Sequence, residues 1–400
     1  MSDLAERLHD LEEQGLRRRL RLVEGAQGPR VTLDGRPVLL LCSNNYLGLA
    51  GDPAVRAAAA EAALELGAGA GASRLISGNM AAHQRLEEQI AAFKGYPEAL
   101  LFGSGYLANT GIIAALAGPG SVVFSDELNH ASIIDGCRLA GAETFVYRHG
   151  DVEHLAEGLR AAGEKAALIV TDGVFSMDGD LAPLVQLAEL AARHECRLMV
   201  DEAHATGAVG PGGRGSVAAA GLSGRVDVVV GTLGKALGSY GAYACGTAET
   251  VEFLLNRARP FVFSTALPPP TVAAAAAALG RLEAAPAMVD RLRGNAAVLR
   301  AGLAAEGLPV GGEPTQIVPV EIGDARRTMD LSELALERGV FAQGIRPPTV
   351  PEGTSRLRFT VMATHTEVEL RRAAAIVGAA ARELGIPAAS SAGYPVGLAA

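Results

Sequence analysis

Lys235 is the residue of this sequence best suited to covalent chemistry. It is one of only three lysines among 35 basic Lys and Arg residues, and it lies in Gly231-Thr-Leu-Gly-Lys-Ala-Leu-Gly238, directly after the apolar run Val226-Asp-Val-Val-Val230. A primary amine on a Gly-rich turn at the end of a buried strand is held rigidly, loses water and shifts its pKa readily, which suits Schiff-base chemistry. Arginine, otherwise so favoured in this chain, cannot condense with an aldehyde. The other two lysines, Lys94 and Lys165, border polar turns and read as solvated helix ends.

Four further motifs fall near the ends of apolar runs. Phe102-Gly103-Ser104-Gly105-Tyr106 enters a helical stretch, where free N–H groups and glycine favour a phosphate. Asp201-Glu-Ala-His204 follows Arg197–Val200; it offers a carboxylate and an imidazole to a heteroaromatic ring, or equally an ordinary helix cap with a satisfied histidine. Asn129-His130-Ala131-Ser132 follows Val122–Phe124, and His130 could neighbour a helix cap or lie flat on a ring. Ser176 sits in Gly173-Val-Phe-Ser-Met-Asp-Gly179, after Ala167–Thr171. Singly each is ambiguous. Together with Lys235 they supply partners for a phosphate, a pyridinium nitrogen, a phenolic oxygen and an aldehyde, the four functional groups of pyridoxal 5′-phosphate (PLP).

The elements that must carry these residues are legible as an alternation. Short apolar runs at Ala99–Phe102, Val122–Phe124, Thr144–Tyr147, Ala167–Thr171, Arg197–Val200 and Val226–Val230 are separated by helical stretches such as Leu107–Ala117, Val152–Ala162 and Leu184–His194. Continuous Val/Ile/Leu strands belong in a parallel sheet covered on both faces, and such sheets place ligands beyond the carboxyl ends of their strands. The spacing predicts an α/β chain: a helix and arm over 1–45, with the helix running to about Leu22, then a large doubly wound, mainly parallel sheet domain over 46–268. A smaller α+β C-terminal domain follows over 269–386, and residues 387–400 read as a flexible tail.

Composition excludes several classes. A net charge of −9 lacks the basic footprint of a nucleic-acid binder. Cys42, Cys137, Cys196 and Cys245 never form a CxxC spacing, so no metal site and no disulfide framework is expected. No run has the length of a membrane span or the form of a signal peptide, which predicts a cytoplasmic protein without membrane partners. The turn around Lys235 fails the Walker A spacing. Gly210-Pro-Gly-Gly-Arg-Gly215 matches GxGxxG in letters but follows a polar loop with no helix opening there.

Read as a set, Ser43-Asn-Asn-Tyr-Leu-Gly-Leu49, Gly71-Ala-Ser-Arg-Leu-Ile-Ser-Gly78, Asp201-Glu-Ala-His-Ala-Thr-Gly207, Gly231 to Gly238 and Phe263-Ser-Thr-Ala-Leu-Pro-Pro269 resemble the α-oxoamine synthases over nearly the whole chain. That family consists of fold-type I PLP-dependent transferases, which join an amino acid to an acyl thioester with loss of carbon dioxide. The resemblance implies that Lys235 holds the cofactor and then moves protons, that Asp201 pairs with the pyridinium N–H, and that His130 stacks on the ring. It assigns Ser176 and His204 to the phenolic oxygen, and Gly105, Tyr106 and Thr232 to the phosphate. Ser264 and Thr265 would reach the phosphate of a neighbouring subunit, implying a homodimer with shared sites.

On the substrate side, Arg356 and Arg358 alternate with Leu357 and Phe359, so both arginines share one strand face. The resemblance selects Arg358 for the amino acid's carboxylate, with Asn44 beside it, His130 against the same substrate, and Arg17 and Thr349 for the acyl partner. The segment Ile345 to Arg358 is most similar to the branch that condenses L-alanine with a pimeloyl thioester carried by coenzyme A or acyl carrier protein. A branch using glycine and acetyl-CoA shares the same motifs. An aminotransferase, or a non-catalytic regulator on that scaffold, is the alternative of a different kind.

Overall fold

The computed structural model describes residues 3–13 and 16–388. Its centre is a seven-stranded sheet: β1 (Glu98–Phe102), β2 (Val122–Asp126), β3 (Glu143–Tyr147), β4 (Ala166–Asp172), β5 (Arg197–Asp201), β6 (Val228–Thr232) and β7 (Ala242–Gly246). The order is β1-β7-β6-β5-β4-β2-β3. Only β7 runs antiparallel to its neighbours; the pairs from β6 to β3 are all parallel. Adjacent residues of each strand feed different cores. Leu101, Phe124, Ile169, Leu198 and Val229 enter one, while Leu100, Val123, Leu168, Met199 and Val228 enter the other. Burying each such side chain contributes roughly 1.5–3 kcal/mol, so a sheet covered on both faces demands the unbroken apolar runs seen in the sequence.

The helices that matter to the site are α1 (Ala81–Lys94), α2 (Gly105–Leu116) and α3 (Ala131–Ala140). Strand order reverses between β2 and β4, because β3 lies outside β2 and the chain then crosses to the other side. That reversal opens the crevice that α/β sheets use for ligands. His130, Ser176, Asp201 and Lys235 follow or end β2, β4, β5 and β6 in turn.

A second sheet comprises β8 (Ile317–Gly323), β9 (Gln343–Ile345) and β10 (Ser355–Thr360), in the antiparallel order β8-β10-β9. Helices Ala287–Ala305, Ala325–Glu337 and Glu367–Glu383 accompany it. A third sheet joins distant parts of the chain. Strands Val23–Glu24, Arg30–Leu33 and Arg36–Leu40 are completed by Val340–Phe341, parallel to the last of them. Segment 41–46 then bonds to the end of β10, Thr360 N donating to Leu41 O at 2.8 Å and Ala363 N to Tyr46 O at 2.7 Å. Asn44 and Tyr46 are thereby delivered to the crevice.

Three sequence expectations need correction. The first helix covers Asp3–Glu13 rather than reaching Leu22, and residues 16–22 are not helical. Lys94 is not solvated: it is buried at 3% exposure and ion-paired with Glu202. The strand β7 went unread because Ala-Tyr-Ala-Cys-Gly lacks the β-branched residues that mark the others. Most of the tail, residues 389–400, lies outside the described residues. Among the described residues no single helix is long and apolar enough to cross a membrane; the bent pair Pro269–Ala284 and Ala287–Ala305 turns through 82°.

Candidate active site

Lys235 stands on the turn after β6. The turn is held shut by Gly238, whose φ of 61° is left-handed and whose missing Cβ leaves room for the backbone of Leu49 and Ala50. Nζ of Lys235 lies 2.7 Å from Nε2 of His204, and Nδ1 of that ring lies 2.6 Å from the Tyr46 hydroxyl. Tyr46 in turn donates to Asn44 Oδ1 at 3.1 Å. Burial lowers Lys235 to about 8, against the pull of Asp201 and Asp172, with Arg358 lowering it further. His204 is pushed well below its ordinary value by burial and then by the charges of Lys235, Arg358 and His130. A neutral imidazole beside an ammonium must present a lone pair, so Nε2 accepts from Lys235 and Nδ1 donates to Tyr46.

Asp201 closes β5 at 4% exposure. Its Oδ2 accepts from Asn109 Nδ2 at 2.6 Å and its Oδ1 from the backbone N–H of Ala203 at 2.8 Å. Asn109 also donates to Ser132 Oγ at 2.9 Å, and Ser132 Oγ lies 2.7 Å from His130 Nδ1. His130 is itself the N-cap of α3, its ring accepting from Ser132 N, where the sequence places it only beside a cap. Burial lowers its pKa, Asp201 opposes this and Lys235 adds to it. Asp172 pairs in register with Asp201 across β4 and β5 and accepts from His130 N at 2.8 Å. Burial raises Asp172 well above the carboxylate range, and the charge of Asp201 raises it further. From the sequence no role is assigned to Asn109, Ser132, Asp172 or Tyr46, although Ser132 and Tyr46 lie inside motifs singled out there. A polar Asn-Thr pair inside the apolar helix α2 was the available signal for Asn109.

The N-terminus of α2 is capped by Ser104, which accepts from Leu107 N at 3.2 Å. Gly105 and Tyr106 occupy the next two positions, whose N–H groups have no partner within a helix, and the space above Gly105 is open. Thr232 ends β6 with its hydroxyl donating to Gly241 O and accepting from Gly234 N, both at 3.1 Å. Ser264 and Thr265 line a small recess with Gly103 of the same chain.

Arg358 on β10 donates from Nε to the backbone oxygen of Ser176, while Arg356 pairs with Asp178. Both arginines therefore meet the turn after β4. Arg17 and Thr349 are also brought together. They share a cavity of about 850 Å³ that Arg18, Arg19, Arg21 and Gln343 help to line. Arg17 is ion-paired there with Glu12. Behind the site, Lys94 pairs with Glu202, whose Oε1 accepts from Ser216 Oγ at 3.0 Å and Val217 N at 2.7 Å. Lys94 also donates to Arg214 O, which gives the Gly210–Gly215 turn a structural role.

The donor set fits PLP. Unpaired amides at a helix start, a buried carboxylate with both oxygens oriented, a buried imidazole and a depressed amine converge on one crevice. Asn109 Oδ1, beside the carboxylate, is buried without a partner.

The description "aminotransferase class I and II" matches residues 36–377. The chain belongs to this family. Its curated relatives include the 8-amino-7-oxononanoate synthases of Citrifermentans bemidjiense, 51% identical over 96% of this chain and all of that one, and of Geobacter sulfurreducens, 53% identical over 96% and 99%. Among solved structures, serine palmitoyltransferase from S. paucimobilis with bound PLP superposes with a TM-score of 0.91 at 36% identity, covering 96% of this chain and 98% of that one. The 8-amino-7-oxononanoate synthase of Francisella tularensis gives 0.76 at 29% identity, covering 87% and 99%. The cofactor of this family member is PLP.

Proposed function

We propose that this chain condenses L-alanine with a pimeloyl thioester, releasing carbon dioxide and the free thiol carrier, to give 8-amino-7-oxononanoate for biotin synthesis. The observation that carries this reading is the contact of Lys235 Nζ with a neutral His204, within the same buried charge cluster as Asp201 and Arg358. Relatives 51% and 53% identical over 96% of this chain are 8-amino-7-oxononanoate synthases, which supports this branch over the others.

PLP, when bound, supplies an electron sink for charge left on the amino acid's α-carbon. The residues do the rest. Lys235, lowered to about 8, is available near neutrality as a nucleophile and afterwards as a base at Nζ. Asp201 sets a negative charge where a pyridinium proton must be retained, and Asn109 and Ala203 fix both its oxygens. His130 would stack on the cofactor ring and border the amino acid. Ser176 would serve a phenolic oxygen, joined by His204 once its proton moves to Nε2 and Tyr46 donates to Nδ1; Gly105 and Tyr106 would serve a phosphate, with Thr232 turning its hydroxyl away from Gly241 O.

Arg358 receives the amino acid's carboxylate as a planar fork, with Asn44 adjacent; Arg356 is already engaged by Asp178. The acyl chain and its carrier, coenzyme A or acyl carrier protein, occupy the cavity between Arg17 and Thr349. We further read the active form as a homodimer, with Ser264 and Thr265 serving the partner's phosphate. They follow Phe263, a ring left 71% exposed.

The test is a matrix of L-alanine, glycine and L-serine against pimeloyl-CoA, acetyl-CoA and palmitoyl-CoA, read by product mass and carbon dioxide release. Serine with palmitoyl-CoA is included because the serine palmitoyltransferase superposes better than the synthase does. Preference for alanine with pimeloyl-CoA is expected. Faster turnover of any other pair overturns the assignment.

A further inference from the structure

His149 lies outside the residues discussed so far, on the loop after β3, yet it is gripped from two sides. Its Nδ1 is 3.0 Å from Asp126 Oδ1 at the end of β2, and its Nε2 is 2.7 Å from Asp180 Oδ2. The backbone is held as well: His149 N donates to Glu127 Oε1 at 2.8 Å and Gly150 N to Asp126 Oδ2 at 3.0 Å. The ring also stands edge-on to Phe175, with centroids 4.4 Å apart and planes at 84°. One imidazole thus touches both ends of the turn 175–180.

That turn is a closed unit. Phe175 N donates to Asp180 O at 3.0 Å, Gly179 N donates to Phe175 O at 2.9 Å, and Val174 bridges Leu181. Thr315 Oγ1 donates to Gly179 O at 2.8 Å from the far side. Ser176 lies inside the turn, and its carbonyl accepts from Arg358 Nε; Asp178, two residues on, holds Arg356. The position of the turn therefore sets the position of both arginines.

We propose that His149 is a positioning residue for the amino-acid site: clamped between Asp126 and Asp180, it fixes the 175–180 turn and so aims Arg358. The proposal rests on the reading of Arg358 as receptor of the amino acid's carboxylate. Charge supports it. Burial works to lower the imidazole's pKa, but the two carboxylates outweigh it and raise it to about 10, so the ring is a cation at neutral pH. It separates Asp126 from Asp180, and its charge also reaches Asp178, whose carboxyl burial raises and Arg356 and His149 lower. Without the ring, Asp126 loses its side-chain bridge to Asp180, Asp178 keeps the repulsion of Asp180 without the cation that offsets it, and the turn is free to shift.

The experiment compares His149→Gln, Asp180→Asn and Arg358→Lys with the unaltered holoenzyme. It reads the dissociation constant for L-alanine from the bound cofactor's absorbance, the KM for pimeloyl-CoA, and the melting temperature. His149→Gln and Asp180→Asn should each weaken alanine binding on the order of tenfold or more and leave the KM for pimeloyl-CoA within about twofold, because the acyl cavity is lined by other residues. Should His149→Gln not fold, Asp180→Asn carries the same reading with the imidazole still on Asp126. Alanine binding lost in Arg358→Lys but kept in both other variants overturns the role of His149 alone. Alanine binding kept in Arg358→Lys overturns the reading of Arg358 and the proposal with it. Equal weakening of both substrates, with a falling melting temperature, reduces His149 to a stabilising residue and also overturns it.

Discussion

Nε2 of His204 and Nζ of Lys235 are 2.7 Å apart, and the imidazole is the group that stays neutral. The hydrogen in that contact belongs to the lysine. An ammonium held this way sheds its proton to open the nucleophile, and its lowered pKa of about 8 sets where this happens. The rate at which the cofactor-free chain captures PLP should rise about tenfold per pH unit below 8 and level off above it. Stopped-flow absorbance across pH 6–10 checks this; a flat profile removes Lys235 as the titrating nucleophile.

The same shift has a stability consequence with a defined sign. The folded value of about 8 lies below the unfolded value of 10.5, so between them the unfolded chain binds more protons and stability rises with pH. Below 8 the folded, cofactor-free chain carries the full cost of a buried ammonium, on the order of 3 kcal/mol. Lys235→Met should therefore be inactive yet more stable than the parent at pH 7, with the gap shrinking toward pH 10.5. Urea unfolding of both chains without cofactor measures the difference.

Asp201→Asn keeps the shape and an oxygen for Asn109 but removes the charge. Cofactor uptake should persist while turnover falls roughly a hundredfold or more. The carboxyl of Asp172, raised in part by Asp201, should move back down. Turnover close to the parent's excludes Asp201 as the group that retains the pyridinium proton.

Lys94→Met strands Glu202, a carboxylate with 0% exposure, among neutral partners. Breaking a buried pair from one side costs about 3–5 kcal/mol, whereas replacing both members with apolar groups is often neutral. Lys94→Met should melt well below the parent, and Lys94→Met with Glu202→Leu should recover much of the loss.

Arg17→Ala removes a cation from the lining of the 850 Å³ cavity. The KM for the acyl thioester should rise about tenfold while alanine binding is unchanged, since Arg358 lies elsewhere. Arg18→Ala, made in parallel, tells which neighbour on this arm meets the carrier.

The strand ends were legible because a parallel sheet covered on both faces needs unbroken apolar runs, and His130, Ser176, Asp201 and Lys235 stand where those runs stop. The contacts between them were not. Tyr46 meets His204 across 158 positions, and Asn109 meets Asp201 across 92, separations that no local periodicity encodes. Lys94 was misread for the same reason: at the end of a helix the local pattern says solvent, and only the packing of α1 against the loop after β5 says otherwise. Arg17 and Thr349 came from resemblance, and the cavity they share takes its lining from residues more than 300 positions apart, with Phe341 of the pair 340–341 that completes strand 36–40 among them.

That pairing orders events during translation. Every strand of the central sheet has been synthesised by residue 246, so Lys235 and Asp201 can take their places on a chain still attached to the ribosome. The arm's own strands can pair with one another early, but strand 36–40 gains its parallel neighbour only when residues 340–341 emerge about a hundred residues later. A nascent chain stalled between those points holds the amine and its carboxylate but lacks Phe341, Gln343 and Thr349 of the cavity lining, so the cavity is complete only late in synthesis.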